Sequence, residues 1–187
     1  MRKDFGPQTW IYPMPVLIIG TYDENGKANA MNAAWGGTFD YNQIMISLSS
    51  HQTTDNIRKS KAFSISFATV DTVTASDYVG IVSAKEVPNK LEKAGLIVEK
   101  SNKVNAPLFK NYPLTLECEL VEVLGEEEGG GNFIGKIVNV SADESILTDG
   151  KVDYKKLKPL AFDPVTAKYV ALGEEVAQAF VEGRKLK

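Results

Sequence analysis

The chain has one cysteine, Cys118, and one histidine, His51, among 187 residues. A lone cysteine excludes an internal disulfide, and a reducing cytoplasm suits such a chain. So few thiols and imidazoles leave little from which to build a zinc centre, and no metal site is expected. Long apolar runs are missing too. The first, over residues 16–19, is too short for a signal-peptide core or a membrane helix, so neither a targeting segment nor a membrane partner is expected. The formal net charge of -3 lacks the basic footprint of a nucleic-acid binder. Neither GxGxxG nor GxxxxGK[ST] occurs, which leaves a Rossmann nicotinamide site and a P-loop without support. No Ser/His/Asp spacing builds a triad around His51, and the carboxylates are scattered, so no side chain is assigned as catalytic. Any chemistry has to come from a bound cofactor or from carboxylates, lysines and hydroxyls.

What is present is ordinary globular composition, 43% hydrophobic and 24% charged, in a length that fits one domain over residues 1–187. Residues 16–22 read as a buried strand, and Asp23-Glu24-Asn25-Gly26 supplies a hairpin turn, since Asn-Gly tolerates positive φ. The return segment, 28–35, is built of alanine and asparagine, poor strand formers in a place where hairpin geometry demands a strand. Further strands are expected over 44–49, 63–67, 114–123 and 133–140, the clearest alternating with period two. A short helix is expected from Asp55, with Thr53 or Thr54 as its cap, a second over 88–95 stopped by Gly95, and a third over 174–180 ended by Gly183. The run Glu126-Glu127-Glu128 before three glycines reads as a hairpin tip. About six or seven strands with corner helices and no repeated βαβ unit favour an antiparallel barrel. Cys118 alternates with Leu116 and Leu120, which reads as a buried, inert thiol.

Three constellations could carry chemistry. The junction from Ser47 to Asn56 crowds hydroxyls, one imidazole and free amides at a helix start, the usual make-up of a phosphate site. There Ser49, His51, Gln52, Thr53 and Thr54 can contact an anion and Arg58 or Lys59 can neutralise it; equally, the threonines can simply cap a surface helix. Asn29 to Trp35 can read the edge of a flat heterocycle through exposed amides, or Trp35 can be a core aromatic packed against small neighbours. Lys90 opposes the dipole at the start of its helix, which a bound phosphate would compensate; a solvated surface lysine is the alternative.

In this order, Pro15 to Thr21, Asn29-Ala30-Met31-Asn32-Ala33-Ala34-Trp35, Ser47 to Thr54, Asn89 to Leu96 and Lys168 to Glu174, the chain resembles the flavin reductase-like, FMN-binding split-barrel family, most of all its flavoredoxin branch. The resemblance implies a mainly β fold with short helices, an antiparallel six- or seven-stranded split barrel with Greek-key-like connections. It also implies a homodimer with FMN near the subunit interface. Carried over by position, Asn29 and the backbone of Ala30, Met31 and Asn32 would meet polar atoms of the isoalloxazine or ribityl group, with Trp35 beside the ring. Ser49, His51, Gln52, Thr53 and Thr54 would hold the phosphate, with Lys90 as its cationic partner. Phe162 and Tyr169 would pack around the flavin, from either subunit. Relatives often carry a Gly-Asp-His type turn near the flavin, where this chain has Gly129-Gly130-Gly131-Asn132, with Asn132 as the candidate donor. The function implied is an oxidoreductase passing electrons from NAD(P)H through FMN to a flavin, metal or small acceptor. The alternative is a non-enzymatic carrier acting between protein partners.

Overall fold

The Asn25-Gly26 turn starts the fold: Asp23 O accepts from the Gly26 amide at 3.0 Å and Gly26 has φ +75°. The computed structural model describes residues 1–125 and 128–186. Its strands are β1 (Met14–Pro15), β2 (Leu17–Tyr22), β3 (Ala28–Ala33), β4 (Gly36–Asp40), β5 (Gln43–Leu48), β6 (Ala62–Phe67), β7 (Val98–Lys100), β8 (Pro107–Phe109), β9 (Leu114–Leu124), β10 (Gly131–Ala142), β11 (Leu147–Thr148), β12 (Lys151–Val152), β13 (Leu160–Asp163) and β14 (Lys168–Ala171). Its α-helices are α1 (Gln52–Ser60), α2 (Val73–Ile81), α3 (Lys90–Lys93) and α4 (Tyr154–Leu157).

Seven strands form one sheet in the order β3-β2-β6-β9-β10-β5-β4, every pair antiparallel. The terminal strands, β3 and β4, are joined by only Ala34 and Trp35. Three residue steps span about 11 Å at most, so the two edges of the sheet must curl towards each other. The result is a barrel split between β3 and β4, with Trp35 in the split and its carbonyl accepting from the Ser47 amide at 2.8 Å. The expected antiparallel split barrel is the fold observed.

Apolar side chains gather on both sides of β2. Leu17 and Ile19 face one buried cluster with Ile46, Ile57, Phe63, Ile65, Cys118 and Phe133. Val16 and Ile18 face a second, with Ala30, Val79, Leu96, Phe109 and Tyr112. β2 is buried on both faces and is a continuous apolar run. β6 is also buried on both, but alternates because its second face carries serines whose hydroxyls are satisfied internally, Ser64 by Pro107 O at 2.5 Å and Ser66 with Thr115 Oγ1 at 2.8 Å. Cys118 is fully buried, and burial, with Glu117 beside it, pushes its thiol up to about 12.

Two expectations change. The first helix begins at Gln52 with His51 as N-cap, so Thr53 and Thr54 lie inside its first turn. A helix over 174–180 does not form: residues 172–178 have no regular structure and only a 3-10 turn, Glu182–Leu186, follows. Val176 and Phe180 are 97% and 96% exposed, so no apolar face is buried to support so short a helix. Glu126 and Glu127, expected at the hairpin tip between β9 and β10, lie outside the described residues.

Candidate functional site

The split in the barrel opens into a cleft with two lobes. One, of about 320 Å³, is lined by Met31 to Trp35 from the unpaired edge of β3, by Ser47, Leu48, Ser49 and His51, by Asp77, Gly80 and Ile81 of α2, and by Phe162 and Tyr169. The other, of about 310 Å³, is lined by Asn29, Met31 and Asn32, by His51, Gln52 and Thr53 at the start of α1, by residues 79–84, and by Lys90. Met31, Asn32, His51, Gly80 and Ile81 line both, so the lobes adjoin. A roomier groove of about 680 Å³, between α4 and residues 171–175, holds none of the residues nominated from sequence.

The first lobe is flat-walled and aromatic. Trp35 is 49% exposed, which removes the core-aromatic alternative, and its ring lies 6.3 Å from that of Phe162, itself 6.1 Å from Tyr169. β3 ends the sheet, so the outer edge of its backbone has no strand partner and leaves amides and carbonyls for a ligand. Alanines 33 and 34 keep that edge clear. Across from it, α2 approaches β3 so closely that a Cβ at Gly80 would meet the Cβ of Asn32 at 2.8 Å. Asn32 Nδ2 donates to Ser76 O at 3.0 Å and to the Tyr169 hydroxyl at 3.3 Å, and that hydroxyl donates to Asp77 Oδ1 at 2.8 Å. Burial, reinforced by Asp77, pushes the Tyr169 phenol up to about 12.

The second lobe is polar and built for an anion. The first amides of α1, those of Gln52 and Thr53, lack intrahelical acceptors and sit at the positive end of the helix. The N-cap is self-contained: the His51 amide donates to Thr54 Oγ1 at 3.0 Å and the Thr54 hydroxyl donates to His51 O at 2.7 Å. Thr53 Oγ1 accepts from Asn29 Nδ2 at 3.0 Å, while Asn29 Oδ1 is buried without a partner. Lys90 is 4% exposed, which removes the surface-lysine alternative; among the described residues its ammonium reaches only two carbonyls at the end of α2, Val79 O at 3.3 Å and Val82 O at 3.0 Å. Desolvation lowers its pKa to about 8, and neither carbonyl supplies the counter-charge that would restore it.

Of the residues nominated from sequence, Asn29, Met31, Asn32, Trp35, Ser49, His51, Gln52, Thr53, Lys90, Phe162 and Tyr169 all line this cleft. Ser49 Oγ and His51 Nε2 are 2.9 Å apart. Two nominated residues do not line it: Ala30 turns its methyl into the second core cluster, and Thr54 spends its hydroxyl on the helix cap. Nor do the basic residues suggested near the phosphate. Arg58 stacks 4.7 Å from the Phe133 ring and donates to Gly129 O and Gly130 O, both at 2.8 Å, and Lys59 pairs with Glu24. Asn132, in β10 opposite Ser47, is not among the lining residues. Sequence reasoning missed Asp77, Gly80 and residues 81–84. They lie on and after α2, whose sequence, Val-Thr-Ala-Ser-Asp-Tyr-Val-Gly-Ile, carries β-branched residues, glycine and no apolar stripe.

No helix among the described residues is long and apolar enough to cross a membrane. The family model of the flavin reductase like domain matches residues 10–163. A flavoredoxin of Desulfovibrio vulgaris (Miyazaki F) superposes with a TM-score of 0.91 at 36% identity, covering 98% of this chain and 100% of that one. A flavoredoxin from Methanosarcina acetivorans gives 0.89 at 29%, over 100% of both. An FMN-binding domain of a flavin reductases-like enzyme from Shewanella baltica OS155, 21% identical over 88% of each chain, shares the fold with a TM-score of 0.78. Fold, cleft and sequence together place this chain in the flavin reductase-like family, in its flavoredoxin branch.

Proposed function

We propose that the cleft binds FMN and that the protein is an oxidoreductase moving electrons from NAD(P)H through it to a flavin, metal or small-molecule acceptor. The observation that carries this reading is the adjoining pair of lobes that share lining residues, one aromatic, the other anion-seeking, so that one molecule with a ring and a phosphate tail can occupy both. The group fits the residues. Lys90 lacks a counter-charge, the α1 amides lack acceptors, and the orphaned Asn29 Oδ1 is an acceptor for a ribityl hydroxyl.

When bound, FMN supplies the redox chemistry through its conjugated ring. The chain's own residues hold it. Gln52 and Thr53 amides, the Thr53 hydroxyl and Lys90 take the phosphate. The free edge of β3 from Met31 to Ala34 reads the polar rim of the ring, and Trp35 and Phe162 shield it from water. With the chemistry supplied this way, the chain needs no triad or metal cluster.

The test begins with fluorescence titration of flavin-free protein. One FMN per chain is expected, with quenched flavin emission; absence of binding overturns the reading. Stopped-flow mixing with NADH or NADPH then separates two outcomes. Rapid bleaching supports the reductase. No bleaching with either nucleotide supports a carrier passing electrons between proteins, a reading favoured by the likeness to two flavoredoxins. Trp35→Ala is expected to change stability by less than about 1 kcal/mol, because the ring is half exposed, yet to shift the bound flavin spectrum. An unshifted spectrum would remove Trp35 from the site.

The homodimer belongs to the same proposal. Val121 and Leu124 of β9 and Val138 and Val140 of β10 are exposed apolar side chains on adjacent strands that a second copy would cover. One free, buried thiol and a formal net charge of -3 fit a cytoplasmic protein.

A further inference from the structure

The aromatic lobe is asymmetric in charge. Of the residues that line it, Asp77 is the only carboxylate, and no lysine or arginine lines it. The carboxylate is fixed: Oδ1 accepts from the Tyr169 hydroxyl at 2.8 Å, Tyr169 is held by Asn32, and Asn32 is tied back to Ser76 O on the helix that carries Asp77. This chain of bonds closes on itself, so Asp77 keeps its position whether or not the lobe is filled. The second lobe carries the opposite sign, in Lys90.

We propose that Asp77 is a specificity-determining residue that favours redox partners whose reacting group is neutral or cationic over those whose reacting group is anionic at the ring lobe. This rests on the FMN reading above. The physical ground is that a fixed charge inside a low-dielectric cleft acts on an incoming ion far more strongly than one on an open surface. A phosphate tail is directed to Lys90, whereas the partner that approaches the ring passes a carboxylate. Rings that are neutral or cationic at the reacting end, a dihydronicotinamide with its phosphates held outside the lobe among them, are admitted, and cationic metal complexes are attracted. Groups that carry negative charge at the reacting end itself are turned away.

Two small one-electron acceptors of opposite charge test this. Holoprotein reduced in advance is mixed with hexaammineruthenium(III) or with ferricyanide; each reduced flavin gives one electron to each of two metal complexes and releases its protons to water. Asp77→Asn, which keeps an acceptor for Tyr169, is expected to lower the cation-to-anion ratio of rate constants about tenfold, and added salt to shrink the difference. Tyr169→Phe, which keeps the carboxylate, is expected to leave that ratio within about twofold. An unchanged ratio in Asp77→Asn overturns the proposal, as does an equal shift in Tyr169→Phe, which would assign the effect to lobe shape. A second readout needs no flavin. In a Trp10→Phe background, Trp35 emission reports binding of 1-methylnicotinamide, a cation, against nicotinate, an anion. The cation is expected to bind more tightly, and Asp77→Asn to abolish the preference; equal binding of both ions to the parent protein also overturns it. Should FMN fail to bind, the functional reading falls while this second arm still decides the role of Asp77.

Discussion

Riboflavin is expected to bind at least about 10²-fold more weakly than FMN, because the phosphate is the part of the ligand that meets Lys90 and the first amides of α1. Charge-assisted hydrogen bonds contribute about 1.5–3 kcal/mol each, and 1.4 kcal/mol is a factor of ten, so two such contacts suffice. Lys90→Met keeps the buried stem and removes the charge. It should cost FMN roughly 10- to 100-fold in affinity and leave riboflavin nearly unaffected. The pH profile carries the sharper signature. In flavin-free protein Lys90 loses its proton near pH 8, below its ordinary value of 10.5. Phosphate binds the protonated form, so FMN affinity is fully present below pH 8 and falls as pH rises through it. A phosphomonoester takes up a proton near pH 6, which places the best binding between about 6 and 8. Folding responds with the opposite sign. Burying the ammonium opposes folding below pH 8, and that penalty fades as pH climbs towards 10.5, so flavin-free protein gains stability from this group where it loses FMN. In Lys90→Met both trends at Lys90 should vanish; an alkaline fall that survives in the variant would assign it to another group.

Gly80→Ala is the second large effect, and two principles compete over its sign. Alanine is favoured over glycine inside a helix by about 1 kcal/mol. Here the new methyl carbon would sit 2.8 Å from the Cβ of Asn32, closer than real Cβ contacts come. Either α2 lifts from β3 or Asn32 turns away from Ser76 O and Tyr169, and overpacking of this kind costs about 1–3 kcal/mol. Sterics win, giving a net loss of about 1 kcal/mol in urea unfolding. FMN affinity should fall more, on the order of tenfold or beyond, since Gly80 and Asn32 belong to the wall the two lobes share. A variant that is more stable and binds FMN normally would mean that α2 has slack over β3.

Hydrophobic period and turn chemistry account for what the sequence revealed of the fold. β6 and the first half of β9 alternate although both faces are buried, because one face packs apolar residues into the barrel and the other carries hydroxyls and a carboxylate (Ser64, Ser66, Thr115, Glu117) that are hydrogen-bonded inside the protein. β3 is a strand despite its alanines and asparagines because the Asn25-Gly26 turn returns the chain alongside β2. Strands without such local cause were invisible. β4 contains Gly36-Gly37 and exists because β5 pairs with it; β13 and β14 are four residues each and depend on pairing with each other and with β1. The site divides in the same way. Residues from β3 and the α1 junction stood out, since small side chains and clustered hydroxyls are unusual in a strand and at a helix start. Asp77 and Gly80 did not, because α2 is held by tertiary contacts and shows little helical preference of its own. For Thr54 the capping alternative describes its hydroxyl, which donates to His51 O.

The partition of the interior by β2 bears on how the protein breathes. α1 is anchored through Ile57 in the cluster enclosed by the barrel, and α2 through Val79 in the cluster outside it. The outer layer can therefore detach while the barrel stays whole. Backbone amides of α2 should exchange with deuterated solvent through such partial openings, well ahead of those in β2 and β6. Entry and exit of a bound molecule would then follow the loosening of one side wall, at a rate unconnected with global unfolding.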